Sequence, residues 1–331
     1  MTAIPVVYKS SDPGAPALSN YNNSLYEVVK SCLVDGYPGK DAAGWSVVYD
    51  EWAATGIATF KNAAESGVLG MIKENSNAYC CTLFVADAMV NAWTPVNARS
   101  GSSVVTDLSG LVAGGKQNRF GSSAGSFVEW VVVANNNFAL VWTASSEVFL
   151  SDPSAYAQWS QLSFISFGSA RNLRSLGGVS DALLGNFVIV GGYIGGAYSN
   201  GVLGVDKGCV LYDHTDAFSQ SAVFQFLTPF GVNVTYPGAG DFASSLVHMD
   251  FEPVVVWDGS TTSSSVQYQL AKLPMLWTNY YLYKNYFDDI APLITSDLFG
   301  ASVSVAGKTG LLAPLPSGGG IFISMQAEDW L

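Results

Sequence analysis

Charged residues are scarce in this sequence. Only 12% of the 331 residues are Asp, Glu, Lys or Arg, which is about half the share that is usual in globular proteins. The 26 acidic side chains outnumber the 14 basic ones, so the net charge is −12. A protein that binds duplex nucleic acid needs a basic face, and so does one that docks on anionic lipid. The composition therefore argues against both kinds of partner.

Histidine and cysteine are also scarce, and this limits the chemistry that can be expected. The two histidines, His214 and His248, lie near carboxylates, but no H-E-x-x-H or G-x-S-x-G motif accompanies them. The four cysteines are Cys32, Cys80, Cys81 and Cys209. They lack a zinc-binding spacing, and we expect them to be buried free thiols. We therefore predict no catalytic residue, no metal site and no cofactor.

A glycoside hydrolase is an enzyme class that the composition leaves open. Such an enzyme needs two carboxylates that face each other across a sugar, and pairs such as Asp250 with Glu252 or Asp288 with Asp289 are present. Exposed Trp and Tyr side chains could form a sugar-binding platform, although aromatic residues dominate cores and subunit contacts as well. This enzyme class is kept as the weaker alternative.

The sequence shows no segment that is suited to a membrane. The uncharged stretch 182–205 is long enough for a transmembrane helix, but it contains seven glycines, which disfavour a helix. Short β-branched and aromatic runs between glycine pairs are typical of buried strands and turns. The first residues have neither a basic segment nor a long apolar one, so we expect no signal peptide and folding in a reducing cytoplasm.

The first 45 residues predict an extended arm followed by one helix. Three prolines, Pro5, Pro13 and Pro16, disfavour a helix in the arm. An amphipathic helix is expected near residues 24–35, with Ser24 as a candidate N-cap and Gly36 as the glycine that ends it. Its apolar residues fall on a single face, at Leu25, Val28, Val29, Cys32 and Leu33.

Beyond the helix, many short strands alternate with turns. The strongest predicted hairpin joins Phe127–Val133 to Phe138–Thr143 through Ala134 and three asparagines, which tolerate a left-handed backbone. One face of its first strand is wholly apolar. Further strands are predicted at 44–49, 78–85, 164–167, 209–212, 223–227, 254–257, 266–270 and 321–325, with two more within 183–198.

These patterns predict a mainly β fold of the α+β type, with an extended N-terminal arm and one short helix. The chain is long enough for two domains or for one large β domain. The regions expected from the sequence are the arm and helix (1–45), a β-rich core region (46–205) and a second β-rich region packed with it (206–331).

The opening of the chain contains an unusual order of residues. It runs V-Y-K-S-S-D-P-G-A-P-A-L over 7–18 and C-L-V-D-G-Y over 32–37, followed by Lys40, A-A-G-W over 42–45, and Tyr49. This order resembles the opening of structural proteins of tailed-bacteriophage particles, V-Y-K-S-x-D-x-G-A-P-x-L and then C-L-V-x-G-Y-x-x-K-x-A-A-G-W. The hairpin 130–138 is similar to the W-x-V-V-A-x-x-x-F segment of the same family.

The resemblance implies a virion structural protein that acts through assembly and has no active-site residues. We expect a β-rich subunit of the neck, tail or baseplate, located in the virion and assembled in the cytoplasm of the bacterial host. Its expected partners are other virion proteins and copies of itself. Decoration of the head, or binding to a receptor or a host-surface glycan, is the alternative.

Six residues of the opening are candidate assembly contacts: Tyr8, Lys9, Asp12, Leu25, Val29 and Trp45. An extended arm could add its unpaired backbone to the sheet edge of a neighbour. The alternative is that the arm folds onto the core of its own chain, as many N-terminal strands do. A surface with little charge and many aromatic residues also suits a protein that is packed against neighbours.

Overall fold

A computed structural model describes fifteen segments of the chain: 4–18, 24–73, 80–100, 103–109, 119–121, 127–145, 162–172, 186–190, 208–211, 224–227, 252–258, 268–278, 303–305, 307–314 and 320–330. Strands predominate in these segments, and the prediction of a mainly β fold is confirmed. The helical elements are the α-helix α1 (Ser24–Lys30), a π-helical turn (Ser31–Asp35) and a 3-10 turn (Ala327–Trp330).

Twenty-one strands lie in the described segments. The first ten are β1 (Val6–Lys9), β2 (Ser46–Glu51), β3 (Ile57–Lys61), β4 (Val68–Lys73), β5 (Cys80–Ala86), β6 (Ala88–Asn91), β7 (Thr94–Val96), β8 (Ala98–Ser100), β9 (Ser103–Val105) and β10 (Arg119–Gly121). The others are β11 (Phe127–Ala134), β12 (Phe138–Ser145), β13 (Leu162–Asn172), β14 (Asn186–Val190), β15 (Gly208–Val210), β16 (Phe224–Leu227), β17 (Glu252–Asp258), β18 (Tyr268–Thr278), β19 (Val303–Val305), β20 (Lys308–Pro314) and β21 (Gly320–Ser324).

A seven-stranded sheet is built from the first part of the chain. Its order is β2-β3-β4-β5-β8-β9, and β10 pairs with β5. Strands β2 to β5 follow one another as antiparallel neighbours, so most of this sheet pairs strands that are successive in the sequence. The hairpin of β6 and β7 forms a separate two-stranded ribbon.

A twelve-stranded sheet holds the arm and the rest of the chain. Strand β1 pairs with β11, and the order continues through β12 and onward to β18, then β21, β20 and β19. Strand β13 also pairs with β18, so β13 to β18 form a closed ring of antiparallel strands. The sheet continues across residue 205, because β14 pairs with β15. The predicted boundary at 205–206 stays a prediction.

The main core lies between the two sheets. Its buried apolar side chains come from α1 and the π-helical turn, from β3 to β5, and from β11 to β13. A second cluster, which includes Ile57, Phe84 and Leu108, covers the other face of the seven-stranded sheet. Strands β3 and β4 are therefore buried on both faces and carry no alternation of polar and apolar residues, the usual signal of a half-buried strand.

The predicted helix is confirmed and ends as expected. Cys32 and Leu33 are fully buried, and Val29 is nearly so. The last five residues are π-helical, and the Gly36 N–H donates to the Ser31 carbonyl at 2.8 Å. Gly36 has φ of 73°, a conformation that glycine adopts without the steric cost that a side chain imposes. The chain can therefore turn sharply after the helix.

The predicted hairpin is confirmed as β11 and β12, but its loop closes differently from the expectation. The side-chain oxygen of Asn135 accepts the N–H groups of Asn137 and Phe138, each at 2.9 Å. Among the described residues, positive φ outside glycine occurs at Glu65 and Asn97. The asparagine loop thus relies on side-chain hydrogen bonds to the backbone and needs no left-handed residue.

Strand β18 is longer than the predicted strand 266–270, and its extension contains the buried Pro274. Lys272 pairs with β13 on one side of β18, and from Met275 onward the same side pairs with β21. Proline cannot donate a hydrogen bond within a sheet, and here it stands where one partner strand gives way to the next. In the described part of the chain, no helix is long and apolar enough to cross a membrane.

Candidate assembly site

The six candidate contact residues divide into two groups in the structure. Tyr8, Val29 and Trp45 are at most 4% exposed. Their side chains pack inside the chain and stabilise the fold. Lys9 and Asp12 on the arm, and Leu25 on α1, are partly exposed. Another chain could therefore contact these three side chains directly. Participation of the six residues in assembly stays a prediction.

The arm is part of the chain's own sheet. Val6, Val7, Tyr8 and Lys9 pair with Ala134, Val133, Val132 and Val131 in that order. The Ser10 N–H continues the ladder and donates to the Trp130 carbonyl at 3.0 Å. Of the two alternatives for the arm, the structure shows the one in which it folds onto its own core.

The far end of the arm is fixed to the same strand by a side chain. The Trp130 indole N–H donates to the Pro16 carbonyl at 3.0 Å. The ring of Trp130 is fully buried, and Tyr37 meets it edge-on with ring centroids 6.4 Å apart. The arm is therefore attached to β11 at both of its ends.

The backbone groups of Lys9 lie on the outer edge of β1. In an antiparallel pair the hydrogen-bonded positions alternate, and the bond at Ser10 places those of β1 at Tyr8 and Ser10. The Lys9 N–H donates to the Asp12 carboxylate Oδ2 at 2.9 Å, and the Asp12 N–H donates to the Lys9 carbonyl at 3.0 Å. Asp12 thereby satisfies both outward groups of Lys9.

The turn that follows the helix closes over the same carboxylate. The Tyr37 hydroxyl donates to Asp12 Oδ2 at 2.7 Å, and Lys40 Nζ lies 3.6 Å from that oxygen. Lys40 Nζ also donates to the Val7 carbonyl at 2.8 Å. We refer to Lys9, Asp12, Tyr37 and Lys40 as the arm clasp, because together they join the arm to the turn 36–45.

The electrostatics of the clasp favour an ionised Asp12. Burial alone would raise its carboxyl pKa, but hydrogen bonds from Tyr37 and the Lys9 N–H, together with the charge of Lys40, hold the pKa below its usual value. Burial and the hydrogen bond to Asp12 raise the pKa of the Tyr37 hydroxyl. At neutral pH Asp12 is therefore a carboxylate and Tyr37 a neutral phenol.

A second cluster holds α1 to the edge strand β2. The Asp50 carboxylate accepts the Tyr26 hydroxyl at 2.5 Å and Lys30 Nζ at 2.8 Å. The Tyr26 ring stacks on Trp52 with centroids 4.9 Å apart. Burial opposes ionisation of Asp50, but the bonds from Lys30 and Tyr26 lower its pKa. We refer to Tyr26, Lys30 and Asp50 as the helix anchor.

Two buried aromatic residues of the opening fasten the turn 36–45 to the rest of the fold. The Tyr8 hydroxyl donates to the Asp41 carbonyl at 2.9 Å, and burial raises its pKa. The Trp45 indole N–H donates to the Asn135 carbonyl at 2.9 Å, and its ring meets Phe167 edge-on at 5.7 Å. These two side chains place the turn between β1 and the β11–β12 loop.

Sequence reasoning missed the exposed apolar residues of the described segments. They are Ile4 and Val6 on the arm, Val90 and Val96 on the β6–β7 ribbon, and Val104 on β9. Ile4 and Val90 are the most exposed, at 66% and 65%. Ile4 and Val6 belong to the run I-P-V-V over 4–7, Val90 follows Met89 and Val104 precedes Val105, so the apolar pattern of the sequence does not distinguish these exposed residues from buried ones. They lie on three separate elements, and each is an apolar side chain that another chain could cover.

The structure brings no metal-binding group together in the segments it describes, where no cluster of three or more His, Cys, Asp or Glu could hold an ion. Cys32 and Cys81 are buried and lie in no disulfide, as predicted. The histidines and the residues Asp250, Asp288 and Asp289 lie outside the described residues, and so do the side chains of Cys80 and Cys209.

No protein-family model matches the chain, and no curated protein is significantly similar to it. The likeness to phage structural proteins therefore depends on the opening residues and the hairpin 130–138.

Proposed function

We propose that this chain is a structural subunit of a tailed-phage particle and acts through contacts with other virion proteins and with copies of itself. The neck, the tail and the baseplate are the proposed positions, and decoration of the head is the alternative. The proposal includes location in the virion after assembly in the host cytoplasm. It assigns no catalytic residue.

The main support for the proposal is that residues of the opening motif hold the arm and the turn in place. Tyr8, Asp12, Tyr37, Lys40 and Trp45 all belong to the order of residues that resembles the phage proteins, and all bind backbone or each other in the structure. They fix the arm and the turn on the sheet. A motif devoted to holding a surface element in place suits a subunit, because an assembly interface needs rigid elements.

The distribution of apolar and charged side chains supports the same function. Charged residues make up only 12% of the chain, and the arm, the β6–β7 ribbon and β9 expose valine or isoleucine. Interface centres are depleted in charge. We propose the β6–β7 ribbon as one contact, because Val90 and Val96 project from an element that is separate from both large sheets.

The test is to purify particles by gradient centrifugation from the bacterial host that produces them, with a tagged copy of the chain expressed during assembly. We expect the chain to sediment with the particles at a fixed number of copies per particle, as measured by quantitative mass spectrometry. Labelling of the tag in electron micrographs would then identify its position. A chain found only in the unassembled fraction would contradict the proposal.

A paired variant sharpens this test. Val90→Glu with Val96→Glu places charge on the ribbon without touching the core, and we expect it to reduce incorporation into particles while leaving the melting temperature unchanged. Glu65→Gln, an exposed change outside the ribbon, is the control and should incorporate normally. The purified chain should release no sugar from host-surface glycan, and hydrolysis there would favour the enzyme alternative.

A further inference from the structure

Strand β1 is the last strand of the twelve-stranded sheet, and its outer edge follows the arm. An edge strand of this kind offers N–H and C=O groups with which a strand of another chain can pair. On β1 the alternation places the outward groups at Val7 and Lys9. Three of these outward groups are hydrogen-bonded by residues of the same chain.

Asp12 replaces a partner strand at Lys9. In a hydrogen-bonded antiparallel pair, two facing residues exchange both of their N–H to C=O bonds. Here the carboxylate of Asp12 takes the place of a carbonyl and accepts the Lys9 N–H, while the Asp12 N–H donates to the Lys9 carbonyl. A strand that approached this edge would have to displace both bonds.

Lys40 closes the next position along the edge. Its ammonium group donates to the Val7 carbonyl at 2.8 Å and is held close to Asp12 at 3.6 Å. The position of the turn is itself fixed, because Tyr37 and Lys40 exchange backbone hydrogen bonds of 3.0 and 2.8 Å. Pro5 follows on the same edge and has no N–H group to offer.

We propose that the arm clasp is an autoinhibitory contact, which keeps the outer edge of β1 closed against the same edge of a second copy of the chain. When the clasp is removed, β1 of one chain pairs antiparallel with β1 of another. Two identical edges can form such a pair about a two-fold axis. The partner is a second copy because, about a two-fold axis at Tyr8, Val7 of each edge faces Lys9 of the other, so that every outward N–H and C=O group of the two edges finds a partner.

The proposal concerns the purified chain and does not depend on its being a particle subunit. It predicts that contacts in a particle use other surfaces, such as the β6–β7 ribbon, while the clasp is intact. The two proposals can fail separately. A chain that does not sediment with particles would not affect the proposal on the β1 edge, and purified variants that do not self-associate would not affect the proposal of a particle subunit.

The experiment compares purified full-length variants by sedimentation velocity over a range of concentrations. Asp12→Ala combined with Lys40→Met removes the carboxylate and the ammonium group. We expect this double variant to self-associate roughly tenfold more tightly than the wild type or better, a difference that sedimentation resolves. Asp41→Asn changes one charge in the same turn on an exposed side chain and should sediment like the wild type.

A third substitution tests whether the association uses the edge. Val7→Pro removes an N–H that points away from β11, so it blocks the outer edge without breaking the β1–β11 ladder, and edge strands accept proline. Added to the double variant, it should restore the sedimentation of the wild type. Association that persists with Val7→Pro would overturn the proposal, and so would a folded double variant that sediments like the wild type.

Folding of each variant is checked by its cooperative thermal transition. If the double variant lacks such a transition, Lys40→Met alone is used. It opens the Val7 carbonyl and removes the ammonium group beside Asp12 but leaves Asp12 bonded to Lys9 and Tyr37, so a second chain still has to displace Asp12 and the expected gain in association is smaller than in the double variant. Association of this folded variant that Val7→Pro suppresses would support the proposal. Unchanged sedimentation of the folded Lys40→Met variant would overturn it.

Discussion

The arm clasp and the helix anchor use the same three kinds of side chain for different purposes. In each, one carboxylate oxygen accepts a tyrosine hydroxyl and lies close to a lysine ammonium group. The anchor joins side chains of α1 to Asp50 of β2, whose carboxylate also accepts the backbone N–H of Trp52, two residues further along the chain. The clasp instead bonds main-chain groups on the outer edge of a strand, because Asp12 bonds both outward groups of Lys9 and Lys40 bonds the Val7 carbonyl.

This difference indicates what each cluster contributes. Lys30 can turn toward water when Asp50 is lost, since its side chain is 25% exposed. The Lys9 N–H is fixed on the sheet edge and cannot turn. Loss of Asp12 removes the acceptor of the Lys9 N–H and of the Tyr37 hydroxyl, and it also removes the carboxylate that lies beside Lys40 at the Val7 carbonyl, so it weakens two contacts with β1. The clasp should therefore matter more to stability, and it alone should control the sheet edge.

The largest effect is expected from breaking the core that both clusters cover. Val29→Asp places a charge at a side chain that is 3% exposed in the main core. We expect a loss of about 3 kcal/mol or more in the free energy of unfolding, measured by chemical denaturation. Glu27→Gln, on the exposed side of α1, should change it by about 0.5 kcal/mol or less. Unchanged unfolding of Val29→Asp would contradict the buried position of this face.

Removal of the clasp carboxylate should have the next largest effect. Asp12→Ala takes the acceptor from the Lys9 N–H, the Tyr37 hydroxyl and the Lys40 ammonium group, and we expect a cost of about 2 kcal/mol. Thermal and chemical unfolding measure it, with Asp41→Asn as the control for one lost negative charge in the same turn. A cost equal to that of the control would show that the clasp does not stabilise the arm.

Removal of the anchor carboxylate should cost less. Asp50→Ala leaves Tyr26 stacked on Trp52 and leaves Lys30 able to reach water, so we expect about 1 kcal/mol. The comparison with Asp12→Ala in one denaturation series is direct, because both changes remove a carboxylate from a Tyr–Lys pair. A larger cost at Asp50 than at Asp12 would reverse the order proposed for the two clusters.

Acid should weaken both clusters, with the smallest effect of the series. The folded chain lowers the pKa of Asp12 and Asp50, so each contributes stability that is fully present above the unfolded pKa of roughly 4 and is lost as the pH falls through the lower folded value. Asp12→Asn with Asp50→Asn should therefore lose less stability than the wild type between pH 6 and pH 2. Parallel pH profiles for the two proteins would contradict this prediction.

Local signals explain which parts of the fold could be predicted. The helix shows its apolar face and its terminal glycine in the sequence, and the hairpin β11–β12 shows two apolar strands around asparagines. Strands β3 and β4 were not predicted, because both of their faces are buried and no alternation marks them. The full length of β18 was not predicted either, because a proline such as Pro274 usually indicates that a strand ends. Only the fold shows that β18 pairs with β13 before Pro274 and with β21 after it.

The candidate site was predictable as a set of residues but not as an arrangement. Tyr8, Asp12 and Trp45 stand out in the opening, and the structure joins the first two to the turn 36–45. The pairing of β1 with β11 links residues more than 120 positions apart, and no local pattern carries that information. Lys40 can bond the Val7 carbonyl only because the pairing of β1 with β11 leaves that carbonyl on the outer edge. The role of Lys40 therefore could not be predicted from the sequence.

The most direct test of a closed arm edge is residue-resolved amide hydrogen exchange by NMR in the wild type and in Asp12→Ala. The wild type should protect the amides of Tyr8 and Ser10, which bond to β11, and also that of Lys9, which bonds to Asp12. In Asp12→Ala, studied at a concentration where it is monomeric, the Lys9 amide alone should exchange fast while Tyr8 and Ser10 stay protected. Fast exchange at Lys9 in the wild type, or equal protection in both proteins, would contradict the account.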